Sequence, residues 1–397
     1  MNTADLLSIT PEDLATPRLG ERTYDSPLLE LLGDREESVH YVTPTDRVLL
    51  DDTLGMARRR GVAAADLPAF RAAGPREKLY FDPVTVTAGI VTCGGLCPGL
   101  NNVVRGLVLQ LTNAYGAKSI LGFRNGYSGL TDGSEPLVLT PTNVSDIHGR
   151  GGTILGTSRG NQDPAAMVDT LAWHGVDMLF VVGGDGSLRG AQRIAAEAAR
   201  RDLPIAVVGI PKTIDNDIPW IDHSFGFQTA FSQAAESIRG AHTEAEATDG
   251  GIGLVKLMGR HSGFIACYAT LANHDVDFTL IPEVPFRLDG FLHSLRERVD
   301  RYGHAVVVVA EGAGQDLLPQ TTLTDPSGNA KLGDIGAFLR ERITEHFDGA
   351  PLSLRYVDPG YAIRSVPANA FDAVYCARLA QAAVHAAMAG FTSVVVA

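Results

Sequence analysis

VTVTAGIVTCGGLCPGLNNVVRGLVLQLTNAY, residues 84–115, decides the fold. Its first nine residues are rich in β-branched side chains and read as a buried strand. Gly94 and Gly95 end the strand. From Asn101 to Tyr115 the apolar residues fall at helical spacing, with Val103, Val104, Leu107 and Val108 as a core stripe. The same order of events recurs along the chain. DMLFVV (177–182) runs into GGDGS and a helix through RGAQRIAAEAARR, and PIAVVGI (204–210) runs into PKTIDND. GIGLVKLM (251–258) runs into GR and a helix over 262–271, and HAVVVVA (304–310) runs into EGAG. Strand, glycine-containing loop and helix, repeated in this way, predict an α/β fold of mostly parallel strands joined by right-handed crossovers. In open sheets of this kind ligands bind beyond the carboxyl ends of the strands, where these loops fall.

The 397 residues, 45% hydrophobic and 20% charged, suit two ordinary domains or one large α/β body. A net charge of −13 argues against a nucleic-acid partner and repels phosphates. Any phosphate site must therefore be locally basic or built from backbone N–H groups. Cys93, Cys97, Cys267 and Cys376 lack metal-ligand spacing and read as small, partly buried thiols of a reducing compartment. The N-terminus has no basic segment ahead of an apolar stretch, and no apolar run is long enough to span a bilayer. A soluble, cytoplasmic protein with no membrane partner is expected. Residues 1–80 are irregular, with short apolar pieces such as LLELL (28–32), and read as an N-terminal extension of one or two helices packed on the body; a disordered tail is the alternative, opposed by the apolar content. The chain stops at SVVVA (393–397), inside an expected strand, which points to a chain cut short.

Four loops carry chemistry. In GGDGS (183–187) the glycines let backbone N–H groups approach a polyphosphate, Asp185 can hold Mg²⁺, and Ser187 stands where a helix dipole favours phosphate. Unrelated kinases and plain turns share this motif, so alone it decides nothing. PKTIDND (211–217) is rarer: in an extended loop Asp215 and Asp217 share one face, one to accept a proton and the other to serve a metal. A solvated acidic turn is the alternative, but a lysine and two acids at a buried strand end need mutual compensation. GGLCPGLNN (94–102) suits either a phosphate tail or tight strand-to-helix packing. GRGGTILGTSRG (149–160) offers Arg159 either as a clamp on transferring phosphate or as an ordinary surface arginine. Arg260, Glu311, Arg355, Tyr361 and Arg364 lie at the ends of later strands. The last two arginines with Tyr361 can hold a sugar phosphate through charge-assisted bonds and Glu311 can accept sugar hydroxyls, though each alone reads as an ordinary surface residue.

At these residues the chain resembles the phosphofructokinase family. TCGGLCPGLNNVVR, GRGGTILGTSRG, VVGGDGS, PKTIDND, LMGR, AEGAG and YAIR stand in the family's order over residues 78–397. YVTPTDRVLLDD and AGPREKLYFDP resemble the long plant and protist form. The resemblance implies two Rossmann-like domains: 81–226 with 363–397 for ATP, and 227–362 for fructose 6-phosphate. It implies transfer of the γ-phosphoryl group of ATP to the 1-hydroxyl of fructose 6-phosphate, in a homodimer or homotetramer. Gly95, Arg159, Gly160, Gly184, Asp185, Gly186 and Ser187 would bind ATP, with Asp185 and Asp217 on Mg²⁺. Asp215 would be the general base and Arg159 a catalytic cation. Thr213, Ile214, Met258, Gly259, Arg260, Glu311, Tyr361 and Arg364 would hold the sugar phosphate, and Arg355 would reach a neighbouring subunit's site. Gly251 departs from the short bacterial form, which has an arginine there.

Donor choice rests on Gly186 and Lys212. Pyrophosphate-using members typically carry aspartate at the first position and lysine at the second, so the chain mixes two patterns. A carboxylate at 186 would occupy and repel the α-phosphate site, whereas glycine leaves it open, which favours ATP. A pyrophosphate-dependent enzyme is the nearest rival. A silent sugar-phosphate or nucleotide sensor would be expected to lack Asp185 or Asp215, and both are present. A lipid or NAD kinase, suggested by GGDG alone, is opposed by PKTIDND followed by LMGR.

Overall fold

In the computed structural model, which describes residues 7–31, 40–61, 63, 66–160, 162–319, 323–324 and 331–397, the recurring units assemble into two main sheets. In chain order the strands are β1 (Thr87–Thr92), β2 (Ser119–Phe123), β3 (Leu137–Val138), β4 (Met178–Gly183) and β5 (Ala206–Pro211). They continue as β6 (Gly251–Leu257), β7 (Phe278–Leu280), β8 (His304–Ala310), β9 (Ser353–Val357) and β10 (Val394–Val395). The first sheet has the order β10-β5-β4-β1-β2-β3, parallel except for β3, and the second is the all-parallel β7-β8-β6-β9.

Strands β4 and β5 are buried along their whole length, because helices cover both faces of the sheet. The helices on the first sheet are α1 (Leu100–Leu109), α2 (Pro164–Trp173) and α3 (Asp185–Arg200). Helix α4 (Phe227–Glu246) carries the chain across to the second sheet, which packs with α5 (Phe264–Asn273), α6 (Leu288–Tyr302) and α7 (Ile335–His346). After the short α8 (Gly360–Arg364), α9 (Ala370–Met388) returns to pack on α1 and β5. Several bounds differ from the sequence reading. Val84 is exposed in a turn closed by Thr85 N–H to Asp82 O at 3.1 Å, so β1 starts only at Thr87. Helix α1 passes into a π-helical turn, Gln110–Ala114. Helix α3 begins at Asp185, so the last three residues of GGDGS form its first turn rather than a loop.

The outgoing and returning chains are fastened to each other. Thr229 in the first turn of α4 donates through its N–H and its Oγ1 to Asp372 Oδ2, at 2.7 and 2.5 Å. The N–H of Asn369, which caps α9, donates to Thr229 Oγ1 at 2.9 Å. Gly226, the N-cap of α4, has φ 88° and lies so close to Cys97 that a Cβ would stand 2.2 Å from the sulfur. Only glycine satisfies both demands.

The N-terminal segment contains short helices, Leu28–Leu31 and Leu54–Arg60, and Leu32 of the LLELL stretch lies outside the described residues. It also contains two antiparallel ladders absent from the sequence reading: Tyr24–Asp25 with Lys78–Leu79, and Arg47–Leu49 with Ala69–Arg71. Strands of two or three residues are too short to show alternation. The segment docks on the C-terminal end of α9 through Leu19 N–H to Gly390 O and Tyr80 N–H to Met388 O, both 2.9 Å. All four cysteines are free, with Cys93, Cys97 and Cys376 buried. Among the described residues no helix is long and apolar enough to cross a membrane.

Candidate active site

The carboxyl ends of β1, β4 and β5 open on a cleft of about 470 Å³, whose opposite wall comes from the loops after β6 and β8 and from α8. That volume is in the range of ordinary ligand clefts. Both sheets therefore contribute to one site.

On the first wall, strand β4 delivers Gly184 to the N-cap of α3 and Asp185, Gly186 and Ser187 to its first turn. Their N–H groups point out of the helix end, where the dipole favours an anion. The Asp185 carboxylate is exposed and paired with Arg189 one turn on. Gly186 has nothing within 4 Å of where a Cβ would stand, so a side chain there would project into open space. The GTSRG loop is tied to the end of β1: Gly94 N–H donates to Ser158 O at 3.1 Å, and Thr157 Oγ1 donates to Gly94 O at 2.5 Å. These bonds bring Arg159 beside Gly95, where a Cβ would stand 3.4 Å from its Nη2.

The loop after β5 holds itself in shape. Thr213 Oγ1 donates to Asp217 Oδ1 at 2.6 Å and accepts from Asp215 N–H at 3.2 Å. Ser224 N–H donates to Asn216 Oδ1 at 2.7 Å, and Ser262 Oγ, from the second sheet's side, donates to Asp215 O at 2.9 Å. Asp215 keeps some open surface toward the cleft, but its Oδ1 is shielded from solvent and has no hydrogen-bond partner among the described residues. Burial, then the nearby carboxylates of Asp217 and Glu311, push its carboxyl up from 3.8 to about 7, against the pull of Lys212. Lys212 is buried, and burial draws its ammonium below the usual lysine range, with Asp215 opposing. Its Nζ lies near Gly94, 3.3 Å from where a Cβ would stand.

The second wall presents Met258, Arg260, Glu311 and Arg364. Glu311 N–H donates to Leu257 O at 2.9 Å and Gly312 N–H to Gly259 O at 3.0 Å, which locks the β6 and β8 loops together. Burial raises the Glu311 carboxyl, while Arg260, Lys256 and Arg364 lower it. Arg364 lies over the ring of Tyr361, 4.5 Å from its centroid.

A family model described as Phosphofructokinase matches residues 87–387, three quarters of the chain. The chain belongs to the phosphofructokinase family. It is 57% identical to an ATP-dependent 6-phosphofructokinase of Amycolatopsis methanolica, over 97% of this chain and 87% of the relative. It is 53% identical to ATP-dependent 6-phosphofructokinase 7 of Arabidopsis thaliana, over 81% of this chain and 68% of the relative. Among solved structures, Pichia pastoris phosphofructokinase in the T-state superposes with TM-score 0.63 at 26% identity, covering 81% of this chain and 37% of that one. The pyrophosphate-dependent enzyme of Marinobacter aquaeolei superposes with TM-score 0.64 at 22% identity, covering 77% of each chain, a likeness of fold alone.

Of the positions the family motifs single out, the cleft gathers Gly95, Arg159, Gly160, Gly184, Asp185, Gly186, Ser187, Lys212, Thr213, Ile214, Asp215, Asp217, Met258, Arg260, Glu311 and Arg364. Gly259 sits within the β6 loop, and Tyr361 is 78% exposed at the rim beneath Arg364. Arg355 is not brought to the cleft: it lies on β9, half-exposed, with Nε 3.6 Å from Glu244. The sequence reading missed Arg189 and Arg193, which line the cleft from α3. With Asp185 they stand at i, i+4 and i+8, one face of a helix, and that spacing was the available signal. Tyr127 was also missed: its hydroxyl donates to Ser187 O at 2.5 Å and steadies the first turn of α3.

Proposed function

We propose that the chain is an ATP-dependent 6-phosphofructokinase, which moves the γ-phosphoryl group of ATP to the 1-hydroxyl of fructose 6-phosphate and yields fructose 1,6-bisphosphate and ADP. The observation that carries this reading is the placement of Asp215, its carboxyl raised to about 7, in one cleft with the N-terminal end of α3. The names of the relatives above agree with it.

Phosphoryl transfer asks a protein for alignment and charge neutralisation rather than covalent work. Asp215 accepts the proton of the attacking 1-hydroxyl, and a base with its affinity is well matched to neutral pH. The N–H groups at the start of α3 and the glycines beside them hold the polyphosphate. Arg159 neutralises charge on the equatorial oxygens of the group in flight. Arg260, Arg364 and Tyr361 grip the sugar phosphate, and Glu311 accepts from sugar hydroxyls. In domain terms, 81–226 with 363–397 seats ATP and 227–362 seats the sugar phosphate.

Mg²⁺ fits this site. No group of three or more acidic, histidine or cysteine side chains forms a cage among the described residues, and Mg²⁺ bound to a nucleotide needs only one or two carboxylates besides phosphates and water. Asp185 would hold it, with Asp217 assisting, and the ion would screen the phosphate charge. Arg189 is the present counter-ion of Asp185.

Arg159→Met should lower kcat by about 10²–10³-fold, the usual cost of losing one stabilising donor, whereas Arg159→Lys should recover only part, since an ammonium lacks the planar fork. Steady-state assays of both variants check this, and an unimpaired Met variant removes Arg159 from the role. A homodimer or homotetramer follows from the same reading, with Arg355 serving a neighbour's site. Sedimentation equilibrium should find no stable monomer at micromolar concentration.

Buried Lys212 favours a second reading, a pyrophosphate-dependent enzyme. A coupled assay of the purified protein with fructose 6-phosphate, offering ATP and pyrophosphate in turn, decides between them. Turnover on ATP alone is expected, and turnover on pyrophosphate alone would overturn the donor assignment.

A further inference from the structure

Where the N-terminal segment meets the end of α9, four arginines crowd one aromatic ring. The guanidinium carbons of Arg18, Arg22, Arg71 and Arg76 stand 5.7, 4.8, 5.3 and 5.9 Å from the centroid of Phe391. A ring has two faces, so cation–π attraction cannot hold all four. None of the four forms an ion pair with a carboxylate among the described residues, and Asp46, which acts on Arg76 from further off, accepts through Oδ2 from the N–H and Oγ1 of Thr43.

The end of α9, the negative pole of a helix, attracts cations but offers them few acceptors. Its last carbonyls are taken: Met388 O by Tyr80 N–H, Ala389 O by Arg22 Nε, and Gly390 O by Leu19 N–H. Arg76 Nη2 donates to Ala72 O at 2.7 Å and Arg71 Nε to Thr16 Oγ1 at 3.1 Å. Those bonds leave Arg22 Nη2 and Arg76 Nη1 shielded from solvent with no acceptor among the described residues. Arg76 is only 5% exposed. Burial, then the charges of Arg22 and Arg71, draw its guanidinium from 12.5 down to about 10. Unpaired buried donors carrying like charge are costly unless an acceptor of opposite sign completes them.

We propose that Arg18, Arg22, Arg71 and Arg76 form a binding site for a phosphate dianion, free or as a phosphomonoester. A tetrahedral dianion supplies the two negative charges and the several acceptors that the planar guanidinium forks lack here. None of these residues lines the catalytic cleft, so the site is additional to it and does not depend on the kinase reading. The chemistry selects against chloride, which carries one charge and no directed lone-pair array. Occupancy ties two separate stretches, 18–22 and 71–76, to one ion beside the end of α9.

The test is calorimetric titration of the full-length protein with inorganic phosphate and, separately, glycerol 3-phosphate, at constant ionic strength in chloride. Heat from phosphate in the cleft is the same in the parent and in variants around Phe391, and is subtracted as that common part. One saturable site per chain is expected, weakened about tenfold or more in Arg22→Gln, in keeping with loss of a charge-assisted bidentate partner. Arg18 is exposed, so Arg18→Gln leaves the fold intact and should weaken the same site to a lesser degree. Binding of only one of the two probes identifies the source of the phosphate and supports the site. No saturable heat with either probe, or heat unchanged in both variants, would overturn it. Hydrogen exchange locates the ion: protection is expected over residues 385–391 and 69–76, and protection confined to the cleft loops also refutes the proposal.

Discussion

Asp215→Asn should lower kcat by about 10²–10⁴-fold while leaving the dissociation constants of ATP and fructose 6-phosphate within a few-fold of the parent. The amide matches the carboxylate in shape and can still accept the hydrogen bonds around it, but it cannot take the proton of the sugar hydroxyl. The parent's kcat/KM should rise with pH along an acid limb centred near 7, the proton affinity of Asp215, and the residual activity of the variant should lack that limb. Stability supplies an independent readout. Because the carboxyl rises from 3.8 to about 7 on folding, the folded chain holds a proton between those pH values that the unfolded chain has released. Stability therefore falls as pH climbs through that window, and the cost of the buried carboxylate is complete above pH 7. The neutral amide never bears that cost. The variant should be more stable than the parent at pH 8, on the order of 1–3 kcal/mol, with the difference vanishing near pH 4. Unchanged turnover would remove Asp215 from the chemistry, and an equal stability difference at both pH values would place the anomaly elsewhere.

Gly186→Asp should abolish turnover on ATP, by on the order of 10²-fold or more in kcat/KM, without lowering the melting temperature. The second half of that expectation follows from geometry. Nothing lies within 4 Å of a Cβ at this position, and an acidic residue in the first turn of α3 suits the helix dipole. The fold has no reason to suffer. The nucleotide does, because a fixed carboxylate would stand in the space the α-phosphate needs, and like charges at such range in a partly desolvated cleft are strongly unfavourable. Pyrophosphate, which has no such group, should be penalised less, so the ratio of the two donor activities is the most sensitive measurement. A variant that runs on ATP at the parental rate would refute the steric and electrostatic account of donor choice.

Much of this is legible in the chain's residues alone. Buried parallel strands announce themselves as apolar runs, so β8 is located to the residue at His304–Ala310, and the glycine loops after the runs mark the cleft. Two kinds of information are not legible there. The first turn of α3 looks like loop because glycine and aspartate favour turns, and the bond that steadies it comes from Tyr127, 60 residues from Ser187. The arginines around Phe391 come from positions 18, 22, 71 and 76, too far apart in sequence for any local pattern to join them. Likewise the Asp215 proton affinity depends on Glu311, nearly a hundred residues away.

The bonds from Thr229 to Asp372 join the two stretches by which the halves of the body are connected, and they sit at one place. A swing of one half against the other about that bolt would stretch the bond from Ser262 Oγ to Asp215 O, which also ties them. A displacement of only ~1 Å at the site is enough to cost roughly 100-fold in rate. Asp215 rides on one arm and Glu311 on the other, so the angle between the arms is itself a catalytic quantity.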